Sequence, residues 1–518
     1  MTMRELVDEL ERRRAEVKQL GGEERVKKQH DRGKLTARER LARFFDDGVF
    51  VEVGLHGTTM GGQGPDKPPA DAVVCGYGKV NGRQVCAAAY DFTTKGGSIG
   101  YTGEVKVSRL RELALRSRCP MVWFIDSAGA RIDPSGTHPD MVSYFAATGY
   151  LFREEVVMSG VVPQIAAMVG PGAAGTAYIP GLADFVPMVK DIGSMALGGP
   201  PLVKAVTGQE IGEQELGGSK VHCEKSGVGD LEVENDDACI QAIKDYLSYM
   251  PQHCEEKPPI VPCDDPVDRR EERLLEILPE NTRQAYDMYE VIKLVVDHGR
   301  IFDLKPKFAR SIITCLARIG GYPVGVVANN PRQLGGILEN NSADKAAHFM
   351  QICDAYNIPL VFLMDVPGFM VGSKVEHEGI IRHGAKMLHV MASATVPKLT
   401  VVLRRGYGAG YYVMCGRAYE PDLLVAWPNA EIAVMGAEGM LGIAGIKLFG
   451  GQEPPPEVKA QLLGKIRENI TIYKSAGWAA IDDVIDPRET REKLFRALEL
   501  SWNKQMERPW RKHGIVPV

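Results

Sequence analysis

The chain has 518 residues, 44% hydrophobic and 25% charged, with a formal net charge of −5. That length exceeds one ordinary hydrophobic core and predicts two domains, while the charge balance leaves no broad basic field for nucleic acid. No uncharged apolar run is long enough to span a membrane, and the charged opening MTMRELVDELERRR does not read as a signal peptide.

Residues Arg4–Leu20 place Leu6, Leu10, Val17 and Leu20 near helical spacing among charges, which predicts an amphipathic surface helix. Gly21–Gly54 follows, where Thr36 and Glu39 suit a capping box and Leu41, Phe44 and Phe45 face a core. Its many charges read as a solvated helix face. From Ala72 the chain turns to short apolar strands. Ala72–Tyr77 and Val80–Tyr90 surround Asn81-Gly82, a hairpin signal. A helix is expected over Glu104–Arg118, then a buried strand over Met121–Asp126 and a small-residue loop, Ser127–Ile132. The apolar run Gln164–Val169 leads into Gly170–Tyr178, GPGAAGTAY. This is an α/β pattern with a glycine turn at each strand end. Proline and charge are dense over Pro251–Pro279, which marks a linker and divides the chain into domains 1–262 and 263–518.

The second half repeats the first. Asn81-Gly82 is answered by Gly320-Gly321, Gly96-Gly97 by Gly335-Gly336, Asp126 by Asp365 and Gly129 by Gly368, all at an offset of 239. Pro163 then pairs with Pro397 and Gly175 with Gly410, at offsets of 234 and 235. One internal duplication with a small length difference accounts for this. The second glycine turn is Arg404–Met414, RRGYGAGYYVM, fed by the apolar run Leu399–Leu403, with a helical segment expected to start at Val413-Met414.

A strand that ends in glycines and opens a helix presents backbone N–H groups to developing negative charge. Gly170, Gly172 and Gly175 also match GxGxxG, but the second half does not keep that spacing. Tight turns needed only for packing are the bland alternative. No Walker loop, GxSxG elbow, HExxH or cysteine nucleophile motif occurs, and His377 and His383 do not share a helix face. Ten cysteines are scattered without a CxxC pair, and Cys75, Cys86 and Cys315 lie in apolar runs. They read as reduced, buried thiols of a cytoplasmic (or mitochondrial matrix) protein, not as a disulfide or metal framework.

Four blocks are recognisable: Gly21–Glu52, Ser159–Tyr178, Gly368–Leu388 and Ala394–Tyr419. Over nearly its whole length the chain resembles the carboxyltransferase (β) subunits of biotin-dependent acyl-CoA carboxylases, of the propionyl-CoA and methylcrotonoyl-CoA type. The resemblance implies two crotonase-type ββα superhelix domains, the first on the acyl-CoA side and the second on the biotin side. It implies a homo-hexamer with active sites between the N-domain of one subunit and the C-domain of another. It also implies a biotin carboxylase or biotin carrier partner, because no MKM biotinylation motif is present and Lys386 is only a look-alike. No metal and no membrane span belong to this picture.

In such enzymes the biotin nitrogen takes the α-proton, so no protein base is required. Two oxyanions form, one on the thioester and one on the biotin ureido group, and two holes stabilise them. By motif position the thioester hole falls on Ala174 and Gly175, and the biotin hole on Ala409 and Gly410. Gly129, Ala130, Gly172 and Tyr412 are carried over as substrate-binding positions. Propionyl-type relatives have an acidic residue where this chain has Tyr412, whereas Asp126–Ile132 keeps a propionyl-like form with Ala128 in place of glycine. The acyl group is therefore left open. A sodium-pump-coupled decarboxylase subunit of the methylmalonyl-CoA type and a non-catalytic scaffold are the alternatives.

Overall fold

The computed structural model describes residues 1–58, 68–131, 149–282, 284–449 and 454–518; Ile132 of the small-residue loop lies outside them. The chain divides into two compact units, Met1–Glu256 and Lys257–Val518. The first carries strands β1 (Phe50–Glu52), β2 (Val73–Val80), β3 (Arg83–Tyr90), β4 (Met121–Ser127), β5 (Gln164–Ala173), β6 (Pro187–Val189), β7 (Ser194–Ala196) and β8 (Leu231–Val233). The second carries β9 (Ile301–Leu304), β10 (Ile312–Ile319), β11 (Tyr322–Asn329), β12 (Leu360–Val366), β13 (Lys398–Tyr407), β14 (Leu423–Ala426), β15 (Glu431–Ala433) and β16 (Asp483–Val484).

The two sheets share one topology. The first runs β1-β2-β3-β4-β5-β6-β8 with β7 on β5; the second runs β9-β10-β11-β12-β13-β14-β16 with β15 on β13. Each opens with two antiparallel pairings and continues parallel. These are two similar crotonase-like domains, the product of the duplication read from the sequence.

Local chemistry sets the elements. Val80 pairs with Arg83 across a two-residue turn, with Asn81 at φ 50° and Gly82 at φ 77°. Two positive φ values make the turn that matches strand twist. Gly320 and Gly321 do the same at φ 59° and 83°. A carboxylate holds each turn: Asp46 accepts the Asn81 and Gly82 N–H groups, and Asp297 accepts those of Gly320 and Gly321. The Thr36–Glu39 capping box forms at the helix Ala37–Phe44, and Leu41, Phe44 and Phe45 are buried. The helix Met3–Lys18 buries no residue, as a surface helix should.

Both faces of each sheet are covered, as parallel strands require. In the first unit Met121, Trp123 and Ile125 pack with Val107, Leu110 and Ala114 of the helix Tyr101–Ser117. In the second, Val361 and Leu363 pack with Met288, Val291 and Val295 of the helix Met288–Val295. All ten cysteines are free thiols, and eight of them are buried. No helix among the described residues is long and apolar enough to cross a membrane.

Three expectations change. The helix after β13 is Gly408–Val413, so it begins inside the glycine triplet and ends where it was expected to start. The strand end sets this start, since Gly408 leaves β13 at φ 55°. The duplication register also shifts. β5 and β13 align at an offset of 234, and Ala174 (φ 51°) answers Gly408, so Gly175 answers Ala409 rather than Gly410. Finally, the charged block is not simply a solvated face: Gln29, Lys34, Thr36 and Arg40 are buried.

Candidate active site

The first turn is built by β5 delivering Ala174 into the helix Gly175–Leu182. Ala174 has φ 51° and ψ −116°. A non-glycine residue there stores about 1–3 kcal/mol of strain. Neighbours hold it. The Ala174 N–H donates to the Ala196 carbonyl at 3.1 Å, and the Ala174 carbonyl accepts the Ala177 N–H at 3.0 Å. Thr176 clamps the turn, its Oγ1 accepting the Ala173 N–H at 3.0 Å and donating to the Ala173 carbonyl at 2.9 Å. The Gly175 and Thr176 N–H groups are at the helix start and have no intrahelical acceptor. Gly175 is half-buried and Ala174 exposed.

The loop after β4 closes on this turn. Gly129 has φ 89°, and a Cβ on it would stand 2.6 Å from the Ala173 carbonyl oxygen, so only glycine fits. Its N–H donates to Ser127 Oγ at 3.1 Å, and its carbonyl accepts the Ile99 N–H at 2.8 Å. Gly129 therefore sits directly against the turn, with exposed Ala130 beside it. Gly172 is buried under the turn, where a Cβ would crowd Met168 Cε and Ile125 Cγ2.

The second unit repeats the arrangement. Gly368 (φ 129°) accepts the Leu338 N–H at 3.0 Å, as Gly129 accepts that of Ile99. A Cβ on Gly410 would stand 2.7 Å from Val366 Cγ2 and 3.3 Å from the Gly368 Cα. Ala409 is exposed and Gly410 buried, and both N–H groups fall in the first turn of a helix. Tyr412 is half-exposed, with its ring beside Tyr411 (5.9 Å) and Tyr419 (6.1 Å).

Behind each turn is a buried aspartate that sequence reading left without a role. Asp126 accepts hydrogen bonds from Lys34 Nζ (2.6 Å), Gln29 Nε2 (2.7 Å) and Arg40 Nη1 (3.0 Å). Arg40 also binds Asp236 (2.6 Å) and donates to the Val169 carbonyl (3.0 Å). Burial pushes the Lys34 ammonium down, against the pull of Asp126. In the second unit Asp365 pairs with Arg404 Nη2 (2.8 Å) and Arg405 Nε (2.6 Å). At the offset of 234 these arginines answer Gly170 and Pro171. A side chain at Gly170 would collide with Asp126 and meet Lys34 Nζ. The 239-residue offset between Asp126 and Asp365 was the available signal; the paired cations had none.

A twice-built α/β fold whose turns each open a helix with backbone N–H groups free of intrahelical acceptors defines a class of protein by its chemistry: such turns suit negatively charged oxygens. The comparisons give the family. The carboxyl transferase domain model matches residues 28–516. The chain is 42% identical over 520 residues to the methylmalonyl-CoA decarboxylase subunit alpha of Veillonella parvula, covering 100% of both. It is 40% identical over 523 residues to the propionyl-CoA carboxylase carboxyltransferase subunit of Haloferax mediterranei, again covering 100% of both. A crystal structure of transcarboxylase 12S, described as a hexamer assembly with methylmalonyl-coenzyme A and methylmalonic acid bound, matches at TM-score 0.94. That match has 42% identity and covers 100% of this chain and 99% of that one. The chain belongs to the carboxyl transferase domain family.

Proposed function

We propose that the chain is the carboxyltransferase subunit of a biotin-dependent acyl-CoA carboxylase, working as a homo-hexamer with a separate biotin-carrying partner in the cytoplasm or mitochondrial matrix. The carrying observation is the donor turn built twice, once per unit, in a chain of this family. Gly175, with its neighbours Ala174, Gly129 and Ala130, is the acyl-CoA side; Ala409 and Gly410 are the biotin side. Because the Ala174 N–H already serves the Ala196 carbonyl, Gly175 carries the donor role of that pair and Ala174 shapes the turn.

The residues at the second turn suit biotin. Ala409 and Gly410 offer two adjacent N–H groups at a helix start, the chemistry an electron-rich ureido oxygen needs. Carboxybiotin, when bound, supplies the carboxyl group and the nitrogen that takes the α-proton. The chain's own part is to orient both reactants and hold the two oxygens. The Gly175 N–H takes the thioester oxygen, whose charge grows as the α-proton leaves. Gly172 and Gly129 keep the backbone close-packed so that the donor does not move. Each such donor contributes about 3 kcal/mol at the transition state.

The test uses the full chain with free biotin and a panel of carboxylated acyl-CoAs, following biotin-dependent loss of the carboxyl group. Loss from one member is expected, with free biotin or with a purified biotin-carrier protein added; loss from none under either condition would overturn the reading. Gly410→Val pushes a side chain into Val366 and is expected to lower the rate by about 100-fold or more. Unchanged circular dichroism would show that the fold survives; an unchanged rate would remove Gly410 from the site. The relative named as a decarboxylase supports running the same donors in reverse.

A further inference from the structure

The duplication places a second tyrosine where Tyr412 is placed. At the 234-residue offset fixed by β5 and β13, Tyr412 answers Tyr178. The two are exposed almost equally, 50% for Tyr178 and 48% for Tyr412. Tyr178 lies three residues past Gly175, on the same face of its helix. A second ring joins it from another element. Phe152, on the helix Tyr150–Met158, meets Tyr178 edge-on at 5.5 Å between centroids. Its Cζ stands 3.5 Å from where a Cβ on Gly175 would be, and among the described residues not adjacent in the chain no other side chain comes within 4 Å of that point.

We infer that Phe152 and Tyr178 form the wall that sets the length of acyl chain this enzyme accepts. The inference rests on the assignment of the Gly175 N–H to the thioester oxygen. A hydrogen bond of about 2.9 Å to that N–H puts the thioester carbon in the first layer of atoms over the turn. The Phe152 ring stands beside the same residue, and on this assignment it is the surface the acyl carbons next in line meet. Two rings packed edge to face are a stiff apolar surface. Such a surface receives a short chain and stops a long one. The chemical class is a short aliphatic acyl-CoA, since each further methylene forced against an apolar wall changes affinity by about 10- to 200-fold. Tyr178 is half-exposed, and its contribution to the wall is the ring packed on Phe152.

The test measures binding as well as turnover. Propionyl-CoA and hexanoyl-CoA are titrated calorimetrically into the full wild-type chain, Phe152→Ala, Phe152→Leu and Tyr178→Leu. Wild type is expected to prefer propionyl-CoA, and each variant to move the affinity ratio toward hexanoyl-CoA by about 10-fold or more. The ratio of kcat/KM for methylmalonyl-CoA and a longer alkylmalonyl-CoA should move the same way. Phe152→Leu keeps an apolar side chain in place should the alanine variant fail to fold. Unchanged ratios in folded variants that still bind acyl-CoA would overturn the wall and leave the proposed function standing. Wild type that binds neither thioester would overturn both.

Discussion

Glu155 is 1% exposed, and neither of its carboxyl oxygens has a hydrogen-bond partner among the described residues. Burial drives its pKa well above the usual carboxylate range; Arg111 pulls it down, and Glu104 and Glu154 add to the rise. Tyr90, from β3, is a further titratable neighbour. The folded pKa lies above the unfolded one. The linked stability is therefore full below the ordinary carboxylate pKa and is lost as pH climbs through the folded value. Glu155→Gln keeps the shape and removes the proton. The variant should gain at least about 2 °C in Tm over wild type at about pH 8, with the gap closing toward about pH 4. Parallel Tm profiles across that range would show that Glu155 is not held neutral. At this scale the sequence was least legible. Lys34 and Arg40 meet Asp126 across 92 and 86 residues. A charged run has the same composition whether water or a buried aspartate receives it. Phe152 was hidden for a related reason, since nothing near Gly175 in sequence announces a ring from another helix.

Turns and strands were far more legible, because glycine and Asn-Gly punctuation acts locally. Both hairpins, the helix after the first, and β4 were readable within a few residues. The start of the helix after β13 was not, because three glycines in five positions argue against a helix that the preceding strand nonetheless dictates. The two donor turns stood out only because the pattern occurs twice; a single GxGxxG match would have carried little weight. The hairpins also differ in how they are secured. Asp46 holds its turn at the exposed surface. Asp297 holds the equivalent turn and also pairs with Arg491 at 2.7 Å, where Arg491 is 2% exposed. Asp46→Ala should cost about 1–2 kcal/mol for two exposed hydrogen bonds. Asp297→Ala should cost about 3–5 kcal/mol, because it strips a counter-charge from a buried guanidinium. Urea denaturation of both variants checks the order; equal losses would mean that Arg491 finds its compensation in nearby Asp265.

Across the whole molecule, the two copies share strand order and donor turns but not the cations around their buried aspartates. The first unit brings Lys34 and Arg40 from before its sheet; the second brings Arg404 and Arg405 from within β13. A chimaera with residues 398–407 in place of 164–173 would set two more guanidiniums against Asp126, already bound by two cations, in space that Gly170 leaves to Lys34. Such a chain should give no soluble, cooperatively folding protein, as read by yield and circular dichroism; a chimaera with wild-type stability would show that the two ion sets are interchangeable. The same incompatibility acts on the gene. Gene conversion tends to homogenise tandem copies, yet a tract carried from one half to the other across this strand would yield a chain that does not fold. Each half is thereby shielded from being overwritten by its sister, leaving their two pockets free to diverge toward different ligands.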